Sequence, residues 1–216
     1  MGTGRRSYAD PCGIARALDV VGDRWALLIV RELMLGPRRF GQLREGLADP
    51  SPNVLAQRLR DLEEDGVLLR RTLEPPADVA VYELTERGRA LEPILLELGR
   101  WGSAAPPVTG RELSVVSMLG ALKTMFDPST TDRATYLLEL GGEPYTVAIS
   151  AGAVEMTRGR SAHPVATLAT DVTTLRTVVF GGTAVRTAEA AGALTIGGDR
   201  RAAARFPKYF RRPATA

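Results

Sequence analysis

The chain has one cysteine and one histidine in 216 residues, and what is scarce narrows its chemistry. The single thiol, Cys12, excludes any disulfide within the chain and any metal site built from cysteines alone. With His163 the only imidazole, no nucleophile, base and orienting group can be assembled into a triad. No cluster of His, Cys or carboxylates has ligand spacing, so neither a metal ligand nor a catalytic residue is expected. Gly181-Gly182-Thr183 and Gly197-Gly198-Asp199 lack the spacing of phosphate- or dinucleotide-binding loops, and no Gly-x-Ser-x-Gly occurs, so no cofactor and no enzyme activity are expected. His163, followed by Pro164, reads as an exposed loop residue.

Long apolar runs are missing too. A membrane-spanning helix needs about 20 consecutive apolar residues, and the sequence offers none, so no membrane partner is expected. Met1-Gly2-Thr3-Gly4-Arg5-Arg6-Ser7-Tyr8 has no apolar stretch of the kind a signal peptide carries, which predicts a cytoplasmic protein. No repeat or low-complexity tract is visible.

What is present is ordinary for a globular chain of two modest domains: 44% hydrophobic and 25% charged residues. The net charge of +3 is unevenly placed. Residues 1–105 carry 15 Lys and Arg against 16 Asp and Glu, and residues 106–216 carry 13 against 9. Positive charge in the first half is therefore local. Five arginines fall between Arg38 and Arg60, against Glu45 and Asp49. A local patch suffices for phosphates, because screening confines a charge's reach to about 10 Å at moderate salt.

That patch lies on the most informative segment, residues 36–84. Ser51-Pro52-Asn53-Val54-Leu55-Ala56-Gln57-Arg58-Leu59-Arg60 opens with a capping serine and a proline at the first helical position, where no backbone N–H is needed. At 100° per residue Leu55, Leu59 and Leu62 share one side and Asn53, Gln57 and Arg60 the other. Amides match adenine and guanidinium matches guanine, so this trio suits base reading. An ordinary amphipathic surface helix would show the same pattern, and the neighbours decide between the two. Arg38-Arg39-Phe40-Gly41-Gln42-Leu43-Arg44 predicts a shorter helix with Phe40, Leu43 and Leu47 inward. Ala48-Asp49-Pro50 is the turn between the two helices. Gly66 ends the second helix, and residues 67–73 and 79–84 read as a hairpin around Glu74-Pro75-Pro76-Ala77-Asp78, a tip without positive charge. Helix, turn, helix, hairpin is the order of a winged helix. Arg38, Arg39, Gln42, Arg44, Ser51, Arg58, Arg70 and Arg71 are the candidate phosphate contacts, which position without reading sequence.

Two helices precede this unit, residues 13–21 ending at Gly22 and residues 24–35 capped by Asp23, with Trp25 a core anchor. After the hairpin a single helix is expected from Thr85 through Leu91, Ile94, Leu95, Leu98 and Trp101, kinked at Pro93. Several local patterns now resemble one family in order: Cys12 to Trp25, Leu27 to Leu33, Gly36-Pro37-Arg38-Arg39-Phe40, the Ser51 helix, and Tyr82-Glu83-Leu84-Thr85-Glu86-Arg87-Gly88. They resemble the HxlR-type regulators over about residues 10–102. The resemblance implies a winged helix-turn-helix homodimer that binds double-stranded operator DNA, with the Trp101 stripe and residues 8–20 as the dimer surface. Cys12 reads first as a small buried residue. The resemblance adds a second reading, a redox or electrophile sensor acting through a Cys12 bridge between two copies or a small-molecule adduct.

Residues 103–110 are small, proline-rich and uncharged, a linker between domains spanning 8–102 and 111–212. The second domain predicts a helix over 112–126 and a strand meander at 135–140, 145–150 and 154–158, turned by Gly141-Gly142 and Ala151-Gly152. A fourth run follows at 165–169, then helices capped by Asp171 and after Gly181-Gly182, a strand at 194–196, and a last helix capped by Asp199. The class is α+β, an antiparallel sheet covered by helices. With Ala166 to Asp171 and Gly192 to Asp199, this order is similar to a sterol-carrier-protein-like domain. The similarity implies an apolar cavity for a hydrophobic effector, with Met118, Leu119, Leu122, Met125, Phe126, Val179, Phe180, Phe206 and Phe210 as candidate lining. The same residues would equally fill an ordinary core. The sequence therefore predicts a DNA-binding transcription regulator whose second domain senses a hydrophobic small molecule. Two rivals stand beside it: a regulator with a purely structural second domain, and a lipid carrier with a vestigial winged helix.

Overall fold

The computed structural model describes residues 7–47, 50–105 and 112–211, and divides into two compact units, Met1–Leu95 and Leu96–Ala216. The inter-helix turn at Ala48 and Asp49, and the linker residues from 106 onward, lie outside the described residues.

The first unit begins with α1 (Gly13–Val21), closed at Gly22 by a bond from its N–H to the Leu18 carbonyl. Next comes α2 (Ala26–Leu33), which starts later than the sequence predicts. Trp25 takes a left-handed backbone conformation at φ 81°, rare for an aromatic residue, so residues 24 and 25 turn rather than extend the helix. The Asp23 carbonyl accepts from the Ala26 N–H across that turn. Trp25 is half-buried against the core, close to its expected role. The helix-turn-helix follows as α3 (Phe40–Gly46) and α4 (Pro52–Glu64), and the hairpin as β1 (Leu68–Thr72) and β2 (Ala80–Leu84). Leu55, Leu59 and Leu62 of α4 are at most 1% exposed and join Ile29, Val30, Leu33, Leu43 and Leu47 in one core. Burying such leucines contributes roughly 1.5–3 kcal/mol each. That packing is what fixes the opposite, polar face of α4 outward.

The single kinked helix expected after the hairpin is two helices, α5 (Glu86–Arg89) and α6 (Glu92–Ser103). Pro93 takes the second position of α6, where its missing N–H leaves no helical bond unmade. The proline opens a helix instead of bending one.

The second unit holds α7 (Val115–Thr124), β3 (Ala134–Leu140), β4 (Glu143–Ser150), β5 (Ala153–Arg158), β6 (Ala166–Thr170), α8 (Val172–Phe180), α9 (Val185–Ala190), β7 (Leu194–Gly198) and α10 (Arg200–Arg205). A 3-10 turn, Phe206–Tyr209, follows α10. Asp171 and Asp199 cap α8 and α10 as expected, accepting from Thr174 and from Arg201 and Ala202. Strand order is β5-β4-β3-β6-β7. The predicted antiparallel sheet needs correction: β3 and β6 run parallel, Tyr136 opposite Ala166 and Leu140 opposite Thr170, so the sheet is mixed. The meander ends at β5, and the chain re-enters the sheet on the far side of β3. Gly141 and Gly142, at φ 60° and 80°, make the two-residue turn between β3 and β4.

Candidate nucleic-acid interface

The α4 helix is built at its start from local chemistry. The Ser51 hydroxyl accepts from the Val54 N–H at 3.3 Å, and Pro52 is the first helical residue. Ser51 is thereby occupied as a cap. Of the expected base-reading trio, Asn53 and Arg60 are exposed and Gln57 is half-buried. Gln57 donates from Nε2 to Asp61 at 2.7 Å, and Arg60 donates from Nη2 to the Gln57 carbonyl oxygen at 2.6 Å. Asn53 faces solvent, and its side chain has no hydrogen bond among the described residues. All three share one helix face, as their spacing requires.

The candidate phosphate contacts separate into two groups. Arg39 and Arg44 are exposed on α3, and the Arg39 N–H donates to the Gln42 side-chain oxygen at 2.9 Å, so Gln42 serves the start of that helix. Arg38 is half-buried, and its backbone bridges Tyr82 of the hairpin in both directions. Arg58 is tied to Asp23 and, at 3.1 Å, to Asp61. Arg71 donates from Nε to Glu83 at 2.6 Å. Arg70 is exposed, its backbone N–H held by Glu63 at 3.2 Å. The sequence missed the anchoring roles of Asp23, Asp61 and Glu83. A signal existed for Asp61, which stands three and four residues beyond Arg58 and Gln57.

Cys12 is exposed rather than buried, a correction to its first reading. It stands at the start of α1, and the backbone amides of Ala15 and then Ile14 hold its thiol below the ordinary range. Nearby in the first unit, a cavity of about 530 Å³ is lined mainly by α1 residues Gly13, Arg16, Ala17, Asp19, Val20 and Val21, with Val67, Arg87 and Leu91. Among the described residues no group of three or more His, Cys, Asp or Glu is placed to hold a metal ion, and no helix is long and apolar enough to cross a membrane. His163 is exposed.

The expected lining of the second unit is mostly core. Met118, Leu119, Leu122 and Phe206 are fully buried, Met125, Phe126, Val179 and Phe210 nearly so, and Phe180 half-buried. Their rings interlock: Phe206 lies 5.0 Å from Tyr136 and 5.1 Å from Phe210, which lies 6.2 Å from Phe126. The Tyr136 hydroxyl donates to the Ala202 carbonyl, and burial first, then the Tyr209 hydroxyl, raises its pKa. Tyr209 in turn donates to Asp132 at 2.8 Å.

Two helices with a buried leucine seam and a polar second-helix face, closed by a two-stranded wing, form a winged helix-turn-helix, a class of DNA-binding proteins. Residues 20–108 match the HxlR-like helix-turn-helix family. The chain is 39% identical over 89 residues to the HTH-type transcriptional regulator YvaP of Bacillus subtilis, covering 41% of this chain and 82% of that one. It is 44% identical over 94 residues to the HTH-type regulator Mb3122 of Mycobacterium bovis, covering 44% and 59%. Among solved structures, the redox regulator HypR in its oxidized form is 33% identical and covers 45% of this chain and all of that one, with a TM-score of 0.42. The chain thus belongs to the HxlR family of DNA-binding transcriptional regulators.

Proposed function

We propose that the protein is a homodimeric operator-binding regulator whose α4 reads bases through Asn53, Gln57 and Arg60. The observation carrying this reading is the outward face of α4, held in place by leucines buried on the opposite side. Arg39 and Arg44, exposed and without an ion pair among the described residues, are its foremost phosphate contacts; Arg38, Gln42, Ser51, Arg58, Arg70 and Arg71 are secondary, since most already serve the fold. Exposed apolar residues support dimerisation: Tyr8 ahead of α1, Ile14 and Leu18 on α1, and Ile94, Leu98 and Trp101 along α6, the last 80% exposed. An exposed Cys12 with a lowered pKa supports a thiol-sensing role.

The test begins by selecting preferred duplexes from a randomised pool with the full chain. Gln57→Ala or Arg60→Ala is expected to cost about 1–3 kcal/mol on the preferred duplex and almost nothing on random DNA. Equal losses on both would remove base reading from this helix.

The second unit is proposed to bind a hydrophobic small molecule and so shift DNA affinity, which requires that the ligand prefer one DNA-binding state over the other. The sterol-carrier-like order of its elements and the Met and Phe residues of its helices support this reading. The interlocked rings of Phe126, Phe206 and Phe210 favour a second one, a purely structural unit. Thermal unfolding with long-chain fatty acids, sterols and fused aromatics separates them. Ligand binding is expected to stabilise the native protein, by about 2.7 kcal/mol at a hundred times Kd, and Ala121→Phe to abolish that gain. No gain with any ligand, together with a destabilised variant, supports the structural unit.

A further inference from the structure

We infer that Asp61 is a positioning residue for sequence recognition, holding Gln57 in the pose in which it meets a base. The inference rests on the proposed base reading by α4. Five side chains form one continuous chain across that helix. Asp23 pairs with Arg58, Arg58 with Asp61 at 3.1 Å, Asp61 accepts from Gln57 at 2.7 Å, and Gln57 accepts from Arg60 at 2.6 Å. Residues 57 and 61, 58 and 61, and 57 and 60 are three or four apart, so each link joins neighbours on the helix surface. Asp23 lies outside α4, in the turn before α2, so the chain is pinned at one end to the scaffold.

The geometry leaves the amide ready for a base edge. A glutamine side chain has two N–H donors and two acceptor lone pairs. Asp61 takes one donor and Arg60 uses one acceptor, leaving one of each. Adenine asks for that same set, one donor to N7 and one acceptor for N6. Asp61 also settles which end of the amide is which, because a carboxylate accepts only from the nitrogen. Its side chain is 15% exposed and held by two partners, so it cannot swing freely. A glutamine fixed before binding loses less side-chain freedom at the base than an unrestrained one. Arg60 is steered in the same way, with the remaining edges of its guanidinium free for guanine.

The alternative is that Asp61 acts only through its charge, repelling phosphate. The two roles separate in a pair of variants. Asp61→Ala removes the acceptor, whereas Asp61→Asn keeps an acceptor for Gln57 and removes the charge. The full chain, its fold checked by circular dichroism, is titrated with the preferred duplex from pool selection and with random duplex. Positioning predicts that Asp61→Ala lowers the ratio of preferred to random affinity on the order of tenfold. Asp61→Asn is expected to retain most of that ratio while binding both duplexes more tightly. Unchanged ratios in both variants, or equal losses in both, overturn the inference. Gln57→Ala is measured in parallel: if it leaves the ratio intact, base reading itself has failed, a result distinct from a failure of Asp61 alone.

Discussion

Replacing Gly88 by alanine should lower the unfolding temperature of the first unit by roughly 10–20 °C, corresponding to a loss of about 3 kcal/mol from overpacking in a small domain. Gly88 is buried in α5, and a Cβ there would sit on the Val67 carbonyl oxygen, with a Leu84 methyl 3.1 Å away. The carbonyl cannot yield cheaply, because it already accepts from the Thr85 N–H and from the Thr85 hydroxyl, each at 3.1 Å. Those bonds tie the start of α5 to the end of α4 and the root of the wing. An added methyl group therefore breaks a junction rather than nudging a flexible side chain. Trp25 fluorescence reports the transition, since Trp25 is half-buried in the first unit while Trp101 is already exposed. Gly41→Ala serves as control: nothing lies within 4 Å of a Cβ there, and alanine should stabilise α3 by about 0.5–1 kcal/mol. An unchanged transition in Gly88→Ala would mean that α5 does not pack on Val67 in solution.

Phe206→Ala should cost the second unit about 3–5 kcal/mol, the range for truncating a buried aromatic residue. Phe206 is 0% exposed and touches two other rings, and it follows directly on α10. Its position is fixed by the chain on either side, the 3-10 turn beginning at Phe206 itself and Phe210 bridging to Phe126. The space left by alanine has little means of collapse, because Tyr136 is held by its hydroxyl to the Ala202 carbonyl. Urea unfolding followed by circular dichroism should show a lower midpoint with an unchanged slope. A loss below about 1 kcal/mol would mark a loosely filled interior and favour the ligand-binding reading of this unit.

How much of this was legible in the sequence depended on how local each determinant is. The Ser51 cap, the Pro52 start, the leucine seam of α4 and the Asp171 and Asp199 caps all rest on residues within one or two turns, and they stand where the sequence places them. The two-residue turn at Gly141 and Gly142 was equally plain. Pro93 was not, because the same proline fits a kink or a helix start, and only the break at residues 90 and 91 decides. The parallel pairing of β3 with β6 was invisible, since alternation along a strand carries its faces and not the identity or direction of its neighbour. Trp25 concealed its left-handed backbone behind an apolar run that reads as helix. In the interface, the polar face of α4 was readable from 100° spacing. What that face is bonded to was readable only in part: the three- and four-residue spacings point to Asp61, but Asp23 reaches Arg58 from another element.

The pairing of β3 with β6 also sets an order of events for the newly made chain. Strands β3, β4 and β5 are joined by tight turns, so their contacts close over short loops and can form while the rest is still emerging. The strand β6 joins later and β7 later still, and the bridge from Phe210 to Phe126 closes across all five strands in sequence. Until β6 arrives, the free edge of β3 is an unpaired template open to any passing strand, and until β7 arrives the outer edge of β6 is another. The first unit, rich in helices and local contacts, has no such wait. Synthesis therefore delivers the DNA-binding half early and leaves the second half exposed to mispairing until β6 and then β7 have joined the sheet.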